Sequence, residues 1–221
     1  MDGNINENKP TATQQKKHEI PEVLAVRNWK EYLGESLLII FSVCLALILT
    51  EIINSIHESK QTKEVINQLR EELIANKDAE EDQYRYHLKV MRNIDSALQH
   101  PEYAQRFMHD AEVHIEVLID SGVLRHDLND IAWQVAKQNN AFAKMDLPTY
   151  RLLTDIYDNQ QRISNVETET GKILLSWESR KSENLRTTLI LLHDNIYAWS
   201  VERGPRLLKM YKKAIDKLSE Y

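Results

Sequence analysis

The sequence predicts an all-α chain in which an N-terminal transmembrane helix continues into an antiparallel multi-helix bundle. Three observations carry that prediction. Glycine and proline number only five each in 221 residues, so few positions force a helix to stop. Residues 36–50, SLLIIFSVCLALILT, carry no charge. Beyond them apolar residues recur at spacings of three and four, the period of one helix face.

Composition narrows the classes further. At 42% hydrophobic and 28% charged the chain falls in the globular range. A net charge of -6 lacks the basic excess of a nucleic-acid reader, so no nucleic-acid partner is expected. Cys44, the single cysteine, lies inside the apolar run, which excludes an internal disulfide and a cysteine metal cluster.

Residues 1–20 are rich in Asn, Gln, Thr and Lys and are expected to form a flexible polar tail, having too little apolar surface to offset the entropy of ordering. Residues 21–57 read as an interfacial segment followed by a single transmembrane helix with its core at 36–50. Fifteen helical residues cover about 22 Å of a roughly 30 Å hydrocarbon layer. Trp29, Tyr32, Leu33, Ile52, Ile53 and Ile56 lengthen the span. A cleaved leader is disfavoured by the long polar stretch ahead of the run and the absence of a small-x-small site after it. A buried soluble helix would keep a polar face, and a surface-lying helix a charged one.

Lys16, Lys17, Arg27 and Lys30 precede the span, against Lys60, Lys63 and Arg70 after it. That slight excess predicts a cytoplasmic N-terminus and a periplasmic or extracellular C-terminal domain.

Residues 58–221 are long enough for one helical domain with its own core. Ile66, Leu69 and Leu73 continue the apolar seam of the first helix. Residues 76–83, NKDAEEDQ, lack a large apolar side chain and predict a turn or an exposed stretch. A second helix uses Tyr84, Leu88, Met91, Ile94 and Leu98. Pro101 opens a third, with Phe107, Ala111, Ile115 and Leu118 on its face and Gly122 at its end. The fourth starts at a capping Asp127 and displays Leu128, Ile131, Val135, Phe142 and Met145.

After the boundary at Asp146-Leu147-Pro148, Leu152, Ile156, Ile163 and Val166 form a fifth stripe; a sixth element past Gly171 carries Ile173, Leu174 and Trp177. Leu185, Leu189, Leu192, Ile196 and Trp199 are spaced four, three, four and three, which places all five on one face. Gly204-Pro205 then separates a last helix with Leu207, Tyr211, Ala214 and Leu218.

The Gly34-Glu35 pair opening the apolar run, the polar exit at 54–60, Leu69-x-x-Glu72-Leu73-x-x-Asn76, the Trp133 helix and the Ile156-Tyr157 pair carry a resemblance. Together they resemble a group of uncharacterised bacterial single-pass membrane proteins with an N-terminal anchor and a helical soluble domain. The resemblance covers most of the chain. It implies a bacterial inner-membrane location and supplies no reaction, ligand or catalytic residue.

Three sets of residues are candidates for function. Ser42, Ala46 and Thr50 align small side chains on one face of the span, where a second helix approaches closely. Glu35 and Glu51 bound the span, and each is expected to reach the headgroups rather than to form an ion site. Asn139 and Gln160 interrupt apolar stripes; folding the fourth and fifth helices together places Gln160 near the indole N–H of Trp133, predicting a buried hydrogen bond.

His109, Asp110, Glu112, His114, Glu116, Asp120, His126 and Asp127 are the densest set of metal-ligating types. Without a His-Glu-x-x-His pair they read as solvated surface, and no metal is expected. Thr170-Gly171-Lys172 lacks the earlier glycine of a phosphate loop. No cofactor is predicted. The expected function is a membrane-anchored interaction or scaffolding module whose partners are the bilayer and a second copy or another membrane protein. A ligand-sensing bundle is the alternative, and a metal-dependent enzyme is less favoured.

Overall fold

A computed structural model of the chain describes residues 29–109, 112–123, 126–139 and 141–221, without the side chains of Glu31 and Lys144. The polar tail at 1–20, the interfacial segment ahead of Trp29, the cations Lys16, Lys17 and Arg27, and Asp110 and Ala111 of the expected third helix lie outside the described residues. The chain is of the all-α class. It divides into two compact units, Met1–Ile53 and Asn54–Tyr221, and helix α1 (Trp29–Gln99) supplies residues to both.

In the first unit every large apolar side chain described, from Leu33 to Ile53, is between 44% and 67% exposed. One 18-residue window reaches a mean hydropathy of 2.6 with nothing buried, so this stretch is long and apolar enough to cross a membrane.

In the second unit the opposite holds. Its α1 residues bury a regular seam: Ile66, Leu69, Leu73, Asn76, Glu80, Gln83, His87, Val90, Ile94 and Ala97, at alternating spacings of three and four. The expected turn at 76–83 is not there, because the helix runs through it. The spacing never breaks; four of the seam positions simply carry polar side chains. They separate two apolar clusters. One joins Leu69 and Leu73 to Trp133, Leu153, Ile156, Leu207, Tyr211 and Ala214. The other joins Val90 and Ile94 to Phe107, Val113, Ile115, Leu118, Leu189 and Leu192.

The segment after α1 departs from the helix expected between Pro101 and Gly122. A single turn, α2 (Pro101–Ala104), leads to a two-stranded hairpin, β1 (Met108–His109) with β2 (Glu112–Val113), followed by a 3-10 turn at Ile115–Val117. Val113, Ile115, Val117 and Ile119 are β-branched and stiff at χ1, which lowers the helix propensity of this segment. Phe107, Ile115 and Leu118 are nevertheless buried, as their spacing predicted.

Helix α3 (Ile131–Gln138) begins four residues after Asp127 and ends before Phe142 and Met145. Its start is delayed because Asn129 is pinned by Asn76: Asn76 Nδ2 donates to the Asn129 carbonyl at 2.6 Å and Asn129 N–H donates to Asn76 Oδ1 at 2.9 Å. Helix α4 (Leu147–Leu174) starts at the predicted boundary, where Asp146 Oδ1 accepts from Thr149 N–H at 2.9 Å with Pro148 in the first turn. It continues through Gly171, where a boundary was expected. The sixth element is the single turn α5 (Trp177–Arg180), capped by Ser176.

Helix α6 (Leu185–Ile196) buries Leu185, Leu189, Leu192 and Ile196 as predicted, then widens into a π turn at Tyr197–Val201. Helix α7 (Gly204–Leu218) buries Leu207, Tyr211, Ala214 and Leu218. α4 lies against both α6 and α7.

Candidate functional site

Glu72, on the flank of the α1 seam, and the four polar seam residues are the most unusual feature of the second unit, and the two ends of this group do different things. Glu72 and Asn76 are structural. The first N–H groups of a helix have no intrahelical acceptor, and no side chain of Asp130 caps α3. Glu72 supplies the acceptor from another helix: its Oε2 accepts from Ala132 N–H at 2.7 Å, and its Oε1 from Trp133 N–H at 3.3 Å and from Tyr157 Oη–H at 2.7 Å. The bond to Glu72 reinforces burial in pushing the Tyr157 hydroxyl far above its ordinary value, so it stays a donor.

Glu80, Gln83 and His87 face a cavity of about 30 Å³, also lined by Thr170, Trp199 and Ser200. That volume admits one or two water-sized groups. Gln83 Nε2 donates to the Val123 carbonyl at 3.1 Å, and His87 Nε2 lies 2.7 Å from the same oxygen. Burial holds His87 below its ordinary pKa, partly countered by the contact with Val123, so the ring is neutral near pH 7.

Glu80 is different. Only 3% exposed, it makes no hydrogen bond among the described residues, and burial alone pushes its carboxyl up to about 7. A Cβ on Gly204 would stand 3.4 Å from Glu80 Oε1 and 3.2 Å from Tyr84 Cδ2, so the start of α7 packs closely against this turn of α1.

Ser200 is 5% exposed and its Oγ has no hydrogen-bond partner among the described residues. The π turn accounts for its position. Spacing predicted Trp199 as the fifth member of the α6 stripe, but the widened turn moves the buried position to Ser200. Trp199 is left half-buried at the cavity wall, with the Arg203 guanidinium 4.4 Å from its ring.

The residues singled out from sequence are distributed otherwise. Ser42, Ala46 and Thr50 are exposed along α1, and the two hydroxyls bond back to Leu38 O at 2.7 Å and Ala46 O at 2.8 Å, leaving a smooth small-residue face. Glu35 and Glu51 are exposed at the two ends of the apolar stretch. Asn139 is exposed and donates to Val135 O at 3.0 Å. Trp133 stacks flat on Tyr157, ring centroids 4.8 Å apart.

Gln160 is buried, but its partner is not Trp133. Its Nε2 contacts Tyr211 Oη at 2.6 Å while its Oε1 has no partner. The expected Trp133, Asn139 and Gln160 network is therefore not formed. α3 ends at Gln138, and α7 rather than α3 covers that turn of α4.

The His and acid cluster disperses into pairs: His114 with Glu116 at 2.9 Å, His126 with Asp82 at 2.7 Å, and Asp120 with Lys89 at 3.0 Å. Among the described residues no three His, Cys, Asp or Glu side chains converge as a metal-binding group. Sequence reasoning missed Glu80, His87 and Ser200. The uninterrupted three-and-four spacing through 76–87 was the available signal for the first two; the π turn that buries Ser200 had none.

No protein-family model, curated protein or solved structure matches this chain.

Proposed function

We propose that the chain is a single-pass protein of the bacterial inner membrane, working as a membrane-anchored interaction or scaffolding module. The observation that supports this reading is the exposure of every large apolar side chain described from Leu33 to Ile53, beside a second unit that buries most of its own. Exposed apolar surface of that extent is stable in lipid and not in water. In this reading residues 58–221 form an antiparallel helical bundle on the periplasmic or extracellular side. Partners meet its surface and the Ser42, Ala46 and Thr50 face, where close helix approach adds packing in the bilayer.

Crosslinking in intact membranes, followed by purification of the full chain, tests the proposal. A discrete adduct with a second copy or with one membrane protein, weakened by Ala46→Ile, is expected; an adduct pattern identical in the variant refutes the role of that face.

A second reading, a ligand-sensing bundle, is favoured by one specific observation. Glu80, which makes no hydrogen bond among the described residues, and Ser200, whose buried Oγ has no partner among them, line the same cavity. Buried polar groups ordinarily pair within the protein, and those that do not are candidates for contact with something else.

A further inference from the structure

The cavity beneath the π turn has a definite chemical character. Among the described residues the Ser200 hydroxyl has no hydrogen-bond partner and the Glu80 carboxyl makes no hydrogen bond, and Glu167 is a second acid on the wall. Among the described residues no Lys or Arg lines it, and the one imidazole, His87, sits against the Val123 carbonyl. Ile163, Val166, Ile196 and Trp199 supply its apolar wall, and Gln83, Thr170 and Asn195 are further polar side chains on it. An anion would find hydroxyl and amide donors but, among the described residues, no cation, and it would face the buried Glu80 carboxylate. An uncharged alcohol can satisfy Ser200 but leaves a buried carboxylate uncompensated, which is the costlier deficit. A protonated primary amine meets both needs: its N–H groups donate to the carboxylate and to the hydroxyl, and its carbons lie on the apolar wall. The cavity's small volume restricts the headgroup to an unsubstituted ammonium.

We infer that this cavity takes the ammonium head of a small alkylammonium ion, with the Glu80 carboxylate as counter-ion and the Ser200 hydroxyl as second acceptor, while the carbon tail extends out of it along the partly exposed Ile163, Val166 and Trp199. The inference rests on the ligand-sensing reading and names its ligand class. The amine binds as a unit, with no bond made or broken.

The test uses the full chain in zwitterionic nanodiscs at pH 8, followed by thermal melting. Three four-carbon probes are compared at about 10 mM, matched in ionic strength, a range set by the weak affinity of ligands with few heavy atoms. n-Butylammonium is expected to raise the melting temperature by about 2 °C or more, and n-butanol and butyrate to leave it unchanged. Glu80→Gln, which keeps the side-chain shape, should abolish the shift while still melting cooperatively. Ser200→Ala should weaken binding of n-butylammonium several-fold by titration.

Equal shifts with n-butanol, or a shift that survives Glu80→Gln, would overturn the amine assignment while leaving a ligand pocket in place. No shift with any of the three probes would overturn the pocket itself, and the ligand-sensing reading with it.

Discussion

Tyr157 Oη donates to Glu72 Oε1 at 2.7 Å, and through that carboxylate α4 is tied to the first turn of α3. One side chain of α1 thus satisfies three donors on two other helices. Removing the acceptor leaves all three unpaired, whereas removing one donor leaves a carboxylate that still has two. Glu72→Ala is therefore expected to cost about 2–4 kcal/mol and Tyr157→Phe about 1–2 kcal/mol. Because both act on one network, the double variant should lose less than the sum. Chemical denaturation of the full chain in micelles checks the order and the non-additivity.

The buried carboxyl of Glu80 makes stability depend on pH in a direction opposite to that of a salt-bridged acid. Its folded value is raised to about 7 from an ordinary 4.5. Between those values the unfolded chain has released its proton while the folded chain retains it, so stability falls as pH rises through this window and is level on either side. The shift corresponds to up to about 3 kcal/mol. Glu80→Gln should remove most of that slope, being near neutral at pH 4.5 and stabilising by about 2–3 kcal/mol at pH 8. Melting curves at the two pH values measure it; an unchanged slope in the variant would place the titrating group elsewhere.

Ser200 offers a prediction with an unusual sign. Its Oγ is buried without a partner, so the hydroxyl carries a desolvation cost and no compensating bond. Ser200→Ala should leave stability unchanged or raise it by about 1 kcal/mol in the absence of ligand. A loss of 1 kcal/mol or more would mean that the hydroxyl is bonded in solution.

Gly204 sits where α7 meets α1. A Cβ there would lie 3.2 Å from Tyr84 Cδ2 and 3.4 Å from Glu80 Oε1, and larger side chains reach further into both. Gly204→Val is expected to lower stability by about 1–3 kcal/mol through overpacking. Because the added methyls enter the space between Tyr84 and Glu80, the pH slope assigned to Glu80 should change as well. Melting Gly204→Val at the same two pH values reads both effects.

Much of this architecture is legible in the sequence. The stripes of α6 and α7 and the cap at Asp146 with Pro148 follow from local periodicity and turn chemistry, which need no tertiary information. The 76–83 stretch was illegible for a different reason. Asn76 and Gln83 satisfy their polarity with backbone groups some 40 to 50 residues away, so composition alone reads them as solvent-facing. The 101–122 segment failed because a spacing of three and four fits Phe107, Ile115 and Leu118 on irregular backbone as well as on a helix. Gln160 was correctly marked as buried, but pairing it with Trp133 required knowing that α7, and not α3, supplies the neighbour. The cavity itself depends on a π turn and on two groups left unpaired, and neither has a signature in one dimension.

In the proposed reading the exposed apolar stretch of α1 lies in a bilayer. Alkaline carbonate extraction of membranes containing the full chain tests it most directly, since carbonate strips peripheral proteins and leaves integral ones. The chain is expected to remain in the membrane pellet and to be released only by detergent. Its recovery in the carbonate supernatant would contradict the claim.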